Sequence, residues 1–108
     1  MKISHTSGVA LFLAAFFLAA QAPQAAEPAN PVRGQELHDP SCLTECHARR
    51  AGGEANRLYT RKNRKQDSLA KLKAQVSFCN QQVLGSEWWP EDEADVVGYL
   101  NKAFYHFK

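Results

Sequence analysis

Apolar residues in the second half of the chain recur with the spacing of an α-helix. Five of them fall at i, i+3, i+7, i+10 and i+14 and so share one face: Leu69, Leu72, Val76, Cys79 and Val83. Asp67 stands just before this stripe as a suitable N-cap, and Gly85 follows it as a suitable helix end. We therefore predict an amphipathic helix between Asp67 and Gly85 that turns Cys79 toward the interior.

A second apolar stripe predicts a helix at the C-terminus. Its members are Val97, Leu100, Phe104 and Phe107. Pro90 suits the first position of such a helix, and the acidic residues within 91–95 complement the partial positive charge of a helix N-terminus. The pattern predicts a helix that begins at Pro90 and runs almost to the end of the chain.

Patterns are weaker between residues 27 and 66. A short helix is predicted from Arg33, and Pro40 is expected to break or kink the chain, because the residue before a proline avoids helical angles. The glycine pair at 52–53 permits a sharp turn, and the polar, basic residues 59–65 are expected to form a surface loop. Nothing after residue 26 alternates as a strand does, so we predict an all-α fold.

The N-terminus has the pattern of a secretory signal peptide. Lys2 precedes an apolar run at residues 9–20, and small residues follow through Ala26. This run is shorter than the roughly 20 apolar residues that span a bilayer. We predict a signal peptide at 1–26, a tether at 27–32 and one domain at 33–108, exported to the periplasm and free of the membrane; an uncleaved anchor is the alternative.

Charge is distributed unevenly over the exported part. Residues 49–73 carry nine basic side chains against two acidic ones, whereas residues 87–95 carry five acidic side chains and no basic one. This asymmetry indicates either docking to charged protein partners or a solvated helix face. The predicted export argues strongly against nucleic acid as the partner of the basic stretch.

The chemistry-bearing motif is C-x-x-x-C-H at residues 42–47. Two thiols can add across the two vinyl groups of a porphyrin, and the adjacent histidine can serve as an axial ligand of its iron. The usual spacing is C-x-x-C-H, so this chain has one extra residue. Because positions i and i+4 share a helix face, Cys42 and Cys46 can still reach one porphyrin edge, with His47 on the iron.

With this motif the chain resembles a small monohaem cytochrome c of class I. The resemblance rests on Gly34 and Leu37 in the first helix, on the motif at 42–47, and on Val97, Tyr99 and Leu100 in the last helix. It implies three to four helices around one covalent haem c. It also implies that the first and last helices cross, with Gly34 against Tyr99 or Leu100.

The second axial ligand departs from the family pattern, which uses methionine. The only methionine is Met1, which leaves with the predicted signal peptide. The remaining candidates are Cys79, His38, His106, a lysine, water or nothing. The chain resembles the small group of His/Cys-ligated cytochromes c, and Cys79 is the odd cysteine of an exported protein. We expect Cys79 as the ligand; a buried, inert thiol is the alternative. His38 is expected near a propionate or on the surface.

Aromatic residues are expected to wall the haem. The candidates are Tyr59, Trp88, Trp89 and Tyr99, although the same residues can equally form an ordinary core. The basic run 57–65 can supply an arginine to a haem propionate or remain a solvated loop.

Three functions follow as expectations. The first is low-potential electron transfer with redox proteins, since a thiolate favours Fe(III); a related small cytochrome as dimer partner is implied by the resemblance. The second is NO or CO binding, or redox sensing, after Cys79 leaves the iron. The third is a haem-free interaction protein with a zinc site or a disulfide. No nucleophile–base constellation points to an enzyme.

Overall fold

Helices are the only regular secondary structure in residues 27–108, which the computed structural model describes apart from the side chains of residues 44–46. The predicted signal peptide at 1–26 lies outside the described residues. The elements are α1 (Pro31–His38), a π-helical segment (Asp39–His47), α2 (Ala48–Arg50), α3 (Arg57–Thr60), α4 (Leu69–Gln82), α5 (Pro90–Leu100) and a C-terminal π-helical turn (Asn101–Tyr105). The prediction of an all-α fold is confirmed for this part of the chain.

Helix α1 begins two residues before the predicted position. The Asn30 side chain accepts hydrogen bonds from the backbone N–H groups of Val32 and Arg33, at 3.1 and 3.2 Å, and so caps the helix. Pro31 lies in the first turn, where a missing N–H costs nothing. The helix therefore includes the end of the segment predicted as a tether.

Of the break or kink expected at Pro40, the break is not observed, although α1 itself ends just before the proline, at His38. His38 and Asp39 keep right-handed helical angles, and the chain continues directly into the π-helical segment. In a π-helix each N–H bonds five residues back, and the wider turn gives the proline ring room that a regular α-turn lacks. The C-x-x-x-C-H motif is therefore part of this wider helix.

Helices α1 and α5 cross at a glycine. A Cβ added to Gly34 would overlap the backbone carbonyl of Asp95 and would lie 2.9 Å from the Cβ of Tyr99. Only glycine allows the two backbones to approach this closely. The expected contact between Gly34 and Tyr99 is present, and it fixes the start of the motif-bearing helix against the last helix.

Charged side chains reinforce this crossing. Arg33 of α1 forms an ion pair with Asp92 of α5 and approaches Asp95 at 3.4 Å. Asp95 also accepts a hydrogen bond from the backbone N–H of Asn30 at 2.7 Å. Asp92 in turn accepts from the backbone N–H of Trp89 at 3.1 Å, so it caps α5 while it holds α1.

Helix α4 follows the predicted stripe with two corrections. Its N-cap is Ser68, which accepts from the Lys71 backbone N–H at 3.2 Å, whereas Asp67 pairs with the Lys71 side chain at 2.7 Å. Leu72 and Val76 are buried as predicted, but Val83 is 58% exposed. The stripe turns outward there because α4 ends at Gln82.

One buried amide connects the end of α4 to the start of α5. Asn80 is 2% exposed; its side chain donates to the Trp88 carbonyl at 2.9 Å and to Glu93 at 2.7 Å, and it accepts from the Trp88 backbone N–H at 2.9 Å. Both amide hydrogens and the amide oxygen of this buried group thus find partners locally. The arrangement fixes Trp88 in the core, between the two helices.

Tyr59 does not lie in a surface loop. It belongs to α3 and is 7% exposed, and its ring packs beside Phe104 with the ring centroids 5.2 Å apart. The Arg64 guanidinium donates to the Tyr59 carbonyl at 2.6 Å, which ties the basic stretch to the core. Tyr59 is thus buried, as expected of a core or haem-wall aromatic residue, and the surface loop predicted for residues 59–65 is wrong at this position.

Candidate functional site

A cavity of about 430 Å³ opens between the π-helical segment, α3, α4 and α5. This volume falls within the roughly 300–1,000 Å³ of small-molecule sites. Leu72 and Val76 of α4 and Val96 and Leu100 of α5 form its apolar floor. A second hollow of about 400 Å³, between α4 and α5, is lined by neither histidine nor cysteine. The first cavity is the candidate site.

Residues that are distant in sequence meet at this cavity. Cys42 and His47 line it from the π-helical segment, and Cys79, 32 residues after His47, lines it from α4. The side chain of Cys46 is outside the described part. Among the described residues, Cys79 takes part in no disulfide. The cavity therefore brings together the predicted attachment residue Cys42 and both predicted iron ligands.

Behind His47 lies a chain of hydrogen-bonded side chains. The Tyr59 hydroxyl is 2.8 Å from His47 Nδ1 and 2.6 Å from His38 Nε2. His38 Nδ1 is in turn 3.0 Å from Asp39 Oδ1. His38 was expected near a haem propionate or on the surface; it is only 1% exposed, so the second of these expectations is wrong. We call the sequence Asp39–His38–Tyr59–His47 the histidine relay.

Burial favours the uncharged forms of His38, Tyr59 and His47. It lowers the pKa of His38 below the usual 6.5, although the neighbouring Asp39 acts to raise it. It lowers the pKa of His47 as well, and electrostatic repulsion from His38 and Arg50 acts in the same direction on a protonated His47. Burial raises the pKa of Tyr59 far above its usual value. His47 is therefore in the uncharged form that metal ions bind.

Cys79 has a simpler environment. Its sulfur accepts one hydrogen bond, from the Gln75 side-chain amide at 3.2 Å, one turn earlier on α4. Gln75 is held in place by Gln66, whose amide donates to the Gln75 oxygen at 3.2 Å. Cys79 is half-buried, and both neighbours along its helix edge, Phe78 and Val83, are 58% exposed. This wall of the cavity is open to solvent.

Basic side chains lie at the mouth of the cavity. Arg50, Arg61 and Lys65 line it, and no ion pair involves them among the described residues. Arg64 is engaged by the protein itself, since it donates to the carbonyls of Tyr59 and Phe104 and lies 4.4 Å from the centre of the Tyr105 ring. The mouth is thus prepared for an anionic group.

The four predicted aromatic residues divide equally. Tyr59 and Trp88 line the cavity. Trp89 is 75% exposed, and Tyr99 packs beside His38, with ring centroids 5.3 Å apart, outside the cavity lining. His106, considered as a ligand, is exposed at the end of the chain.

Sequence reasoning did not single out Gln75 or Tyr105 as residues of this site, and it did not relate His38 to Tyr59. His38 and Tyr59 are 21 positions apart on different helices, so no local spacing relates them. Gln75 lies four residues before Cys79, and that helical spacing was the one available signal.

The described residues contain no group of three His, Cys, Asp or Glu side chains that would hold a bare metal ion. A haem iron needs only axial ligands from the protein. In the same part of the chain no helix has the length and apolar character to cross a bilayer. Comparison with protein-family models, curated proteins and solved structures gives no match.

Proposed function

We propose that this chain is an exported monohaem cytochrome c that transfers single electrons. Cys42 and Cys46 attach the haem, His47 is one axial ligand and Cys79 is the other. One observation carries the proposal: His47 and Cys79 line the same apolar cavity as Cys42. The attachment motif by itself gives no reason for Cys79, 32 residues after His47, to lie at the same cavity.

The character of the cavity fits a porphyrin. A porphyrin needs flat apolar surroundings, which the aromatic rings of Tyr59, Trp88 and Tyr105 and the floor of α4 and α5 supply. Its two propionates need cations, which Arg50, Arg61 and Lys65 supply at the mouth. The crossing of α1 and α5 at Gly34 supports a class I-like arrangement of the helices around the haem.

The two ligands suit a low-potential carrier. Bound haem supplies a one-electron Fe(III)/Fe(II) couple. His47 offers a neutral imidazole, and Cys79 as thiolate adds a negative charge that stabilises Fe(III). The buried relay holds His47 in place during the change of oxidation state.

Location and partners are part of the same proposal. The sequence of residues 1–26 directs export, and the periplasm is where covalent attachment takes place. Arg50, Arg61 and Lys65 give the cavity mouth a positive charge that suits a redox partner with an acidic surface. We propose a carrier that works with such partners rather than an enzyme.

Intact mass tests this proposal. The chain is exported by bacteria that assemble c-type haem, and its mass is compared with that of the Cys42→Ala/Cys46→Ala variant. We expect the mature chain plus one haem for the wild type and the bare chain for the variant. A bare wild-type chain would overturn the proposal and would leave the haem-free alternatives, zinc or a disulfide, which metal analysis and the mass deficit of a disulfide then separate.

Gas binding is the second candidate function. The observation that favours it is the open wall around Cys79, whose sulfur accepts a hydrogen bond from Gln75 and from no other side chain that the structure describes. A thiolate that takes up a proton on reduction would leave room for CO or NO. Optical spectra of the reduced protein with and without CO distinguish the two functions: rapid stoichiometric binding favours sensing, whereas unchanged spectra favour a pure carrier.

A further inference from the structure

With His38 uncharged, the histidine relay can donate its hydrogen bonds in only one direction. An ionised Asp39 carboxylate has no proton to give, so at the 3.0 Å contact His38 Nδ1 must be the donor. A neutral imidazole with its proton on Nδ1 has an accepting lone pair on Nε2. The Tyr59 hydroxyl, 2.6 Å away, therefore donates to His38.

The same logic continues to the cavity. A phenol has one hydroxyl proton, and Tyr59 uses it in the hydrogen bond that it donates to His38. The Tyr59 oxygen therefore accepts the hydrogen bond from His47 at 2.8 Å. The donor is Nδ1–H of His47. In this tautomer the other ring nitrogen, Nε2, has no proton and keeps its lone pair for a ligand.

We infer that Tyr59, held by His38, is the positioning residue that fixes the tautomer and orientation of His47 for iron. The inference rests on the proposed function for the identity of the metal. The reverse direction would place the lone pair of His38 Nδ1 against the carboxylate of Asp39, which is repulsive. The burial of His38, at 1% exposure, and of Tyr59, at 7%, keeps water from offering other partners.

The relay also has an electronic consequence. An acceptor on Nδ1–H makes the imidazole a stronger donor to its metal, and loss of such an outer partner costs about 10–100-fold in metal affinity or activity. Stronger donation favours Fe(III) over Fe(II). Tyr59 therefore lowers the potential and protects the Nδ1 proton from exchange.

The test uses Tyr59→Phe, with Tyr99→Phe as the matched control. Tyr99 also packs on His38, but the hydroxyl that bonds His47 is that of Tyr59. Covalent haem is first established by mass for each protein. Exchange of the His47 Nδ1 proton is then followed by NMR in the reduced state, and the midpoint potential is measured. For Tyr59→Phe we expect about tenfold faster exchange and a tenfold shift toward Fe(II), which is about 59 mV upward for one electron.

Equal exchange rates and potentials in the wild type and Tyr59→Phe, with haem attached to both, would overturn the inference and leave the proposed function standing. A wild type without haem would instead refute the proposed function. If Tyr59→Phe does not accumulate, His38 carries the test. His38→Gln keeps an acceptor for the Tyr59 hydroxyl and is expected to behave as the wild type, whereas His38→Leu is expected to exchange faster; identical behaviour of the two would also overturn the inference.

Discussion

The two walls of the cavity hold their proposed iron ligands in different ways. His47 is backed by the histidine relay, which passes through a fully buried imidazole and ends on a carboxylate. Cys79 is backed by one glutamine on its own helix and lies beside Phe78 and Val83, which are 58% exposed. One ligand is constrained from three elements of the fold, and the other from little more than a single helix.

If both residues bind iron as proposed, this difference would make His47 the permanent ligand and Cys79 the exchangeable one. A side chain held by a closed, buried network has one orientation. A half-buried side chain such as Cys79, held by a hydrogen bond from Gln75, can change its position at a small cost in free energy. Regions with few buried contacts are the ones that open locally most easily. We call the side of the cavity formed by the histidine relay the His47 wall, and the side formed by Gln75, Phe78, Cys79 and Val83 the Cys79 wall. We expect the His47 wall to determine whether the protein folds around haem. We expect the Cys79 wall to determine the redox potential and the access of gas molecules to the iron.

The largest effect on stability is expected at the contact of α1 with α5, because α1 carries His38 of the histidine relay. In Gly34→Ala the new methyl group overlaps the Asp95 carbonyl, so α1 must move away from α5. We expect a loss of about 3 kcal/mol in the free energy of unfolding, measured by urea denaturation. Glu36→Ala, at an exposed position of the same helix, is the control and should change stability by less than about 0.5 kcal/mol. Equal stabilities for the two variants would contradict the claim that the crossing of α1 and α5 at Gly34 stabilises this side of the cavity.

A smaller effect is expected on the Cys79 wall. Gln75→Met keeps the size of the side chain and removes the donor to the Cys79 sulfur. Stability should change little, while CO should bind the reduced protein about tenfold faster, in the range that outer partners of a ligand contribute. Gln82→Met, at an exposed position of the same helix, is the control. Stopped-flow mixing with CO measures the rate; equal rates in all three proteins would mean that Gln75 does not restrain Cys79.

The smallest effect concerns acid. Although burial acts to raise it, the pKa of Asp92 is lowered by the Trp89 backbone N–H and by Arg33. A lowered folded-state pKa contributes stability above the ordinary value of 3.8, and this contribution is lost as the pH falls through the folded-state value. The wild type should therefore lose more stability than Asp92→Asn on acidification below about pH 4. Glu36→Gln, at an exposed position of α1, is the control and should follow the wild type; parallel curves for all three proteins would contradict the role of Asp92 at the helix crossing.

The helices and the functional site differ in how far the sequence predicts them. The apolar stripes and the proline at position 90 sufficed for α4 and α5, because periodicity and capping are local properties. A break or kink was predicted at Pro40 because the residue before a proline usually avoids helical angles. Asp39 instead keeps helical angles at the start of the π-helical segment. Tyr59 was named among the aromatic candidates, but the basic stretch that begins with it also indicated a surface loop, because a single inward side chain has no period.

The cysteines and the histidine proposed to hold the haem were predictable from the sequence, whereas the hydrogen-bonded relay behind His47 was not. Cys42 and His47 follow from a motif, and Cys79 from the odd count of cysteines and the missing methionine. The relay between Asp39 and His47 depends on the packing of α3 against the π-helical segment, a contact between elements that no spacing encodes.

The ligand on the open wall is the most direct test of this account. Low-spin EPR of the oxidised, haem-loaded protein is compared with that of Cys79→Ala and of Ser77→Ala, a control on the same helix. We predict a thiolate-type low-spin signal in the wild type and in Ser77→Ala, and its loss in Cys79→Ala while haem stays attached. An unaltered signal in Cys79→Ala would contradict ligation by Cys79.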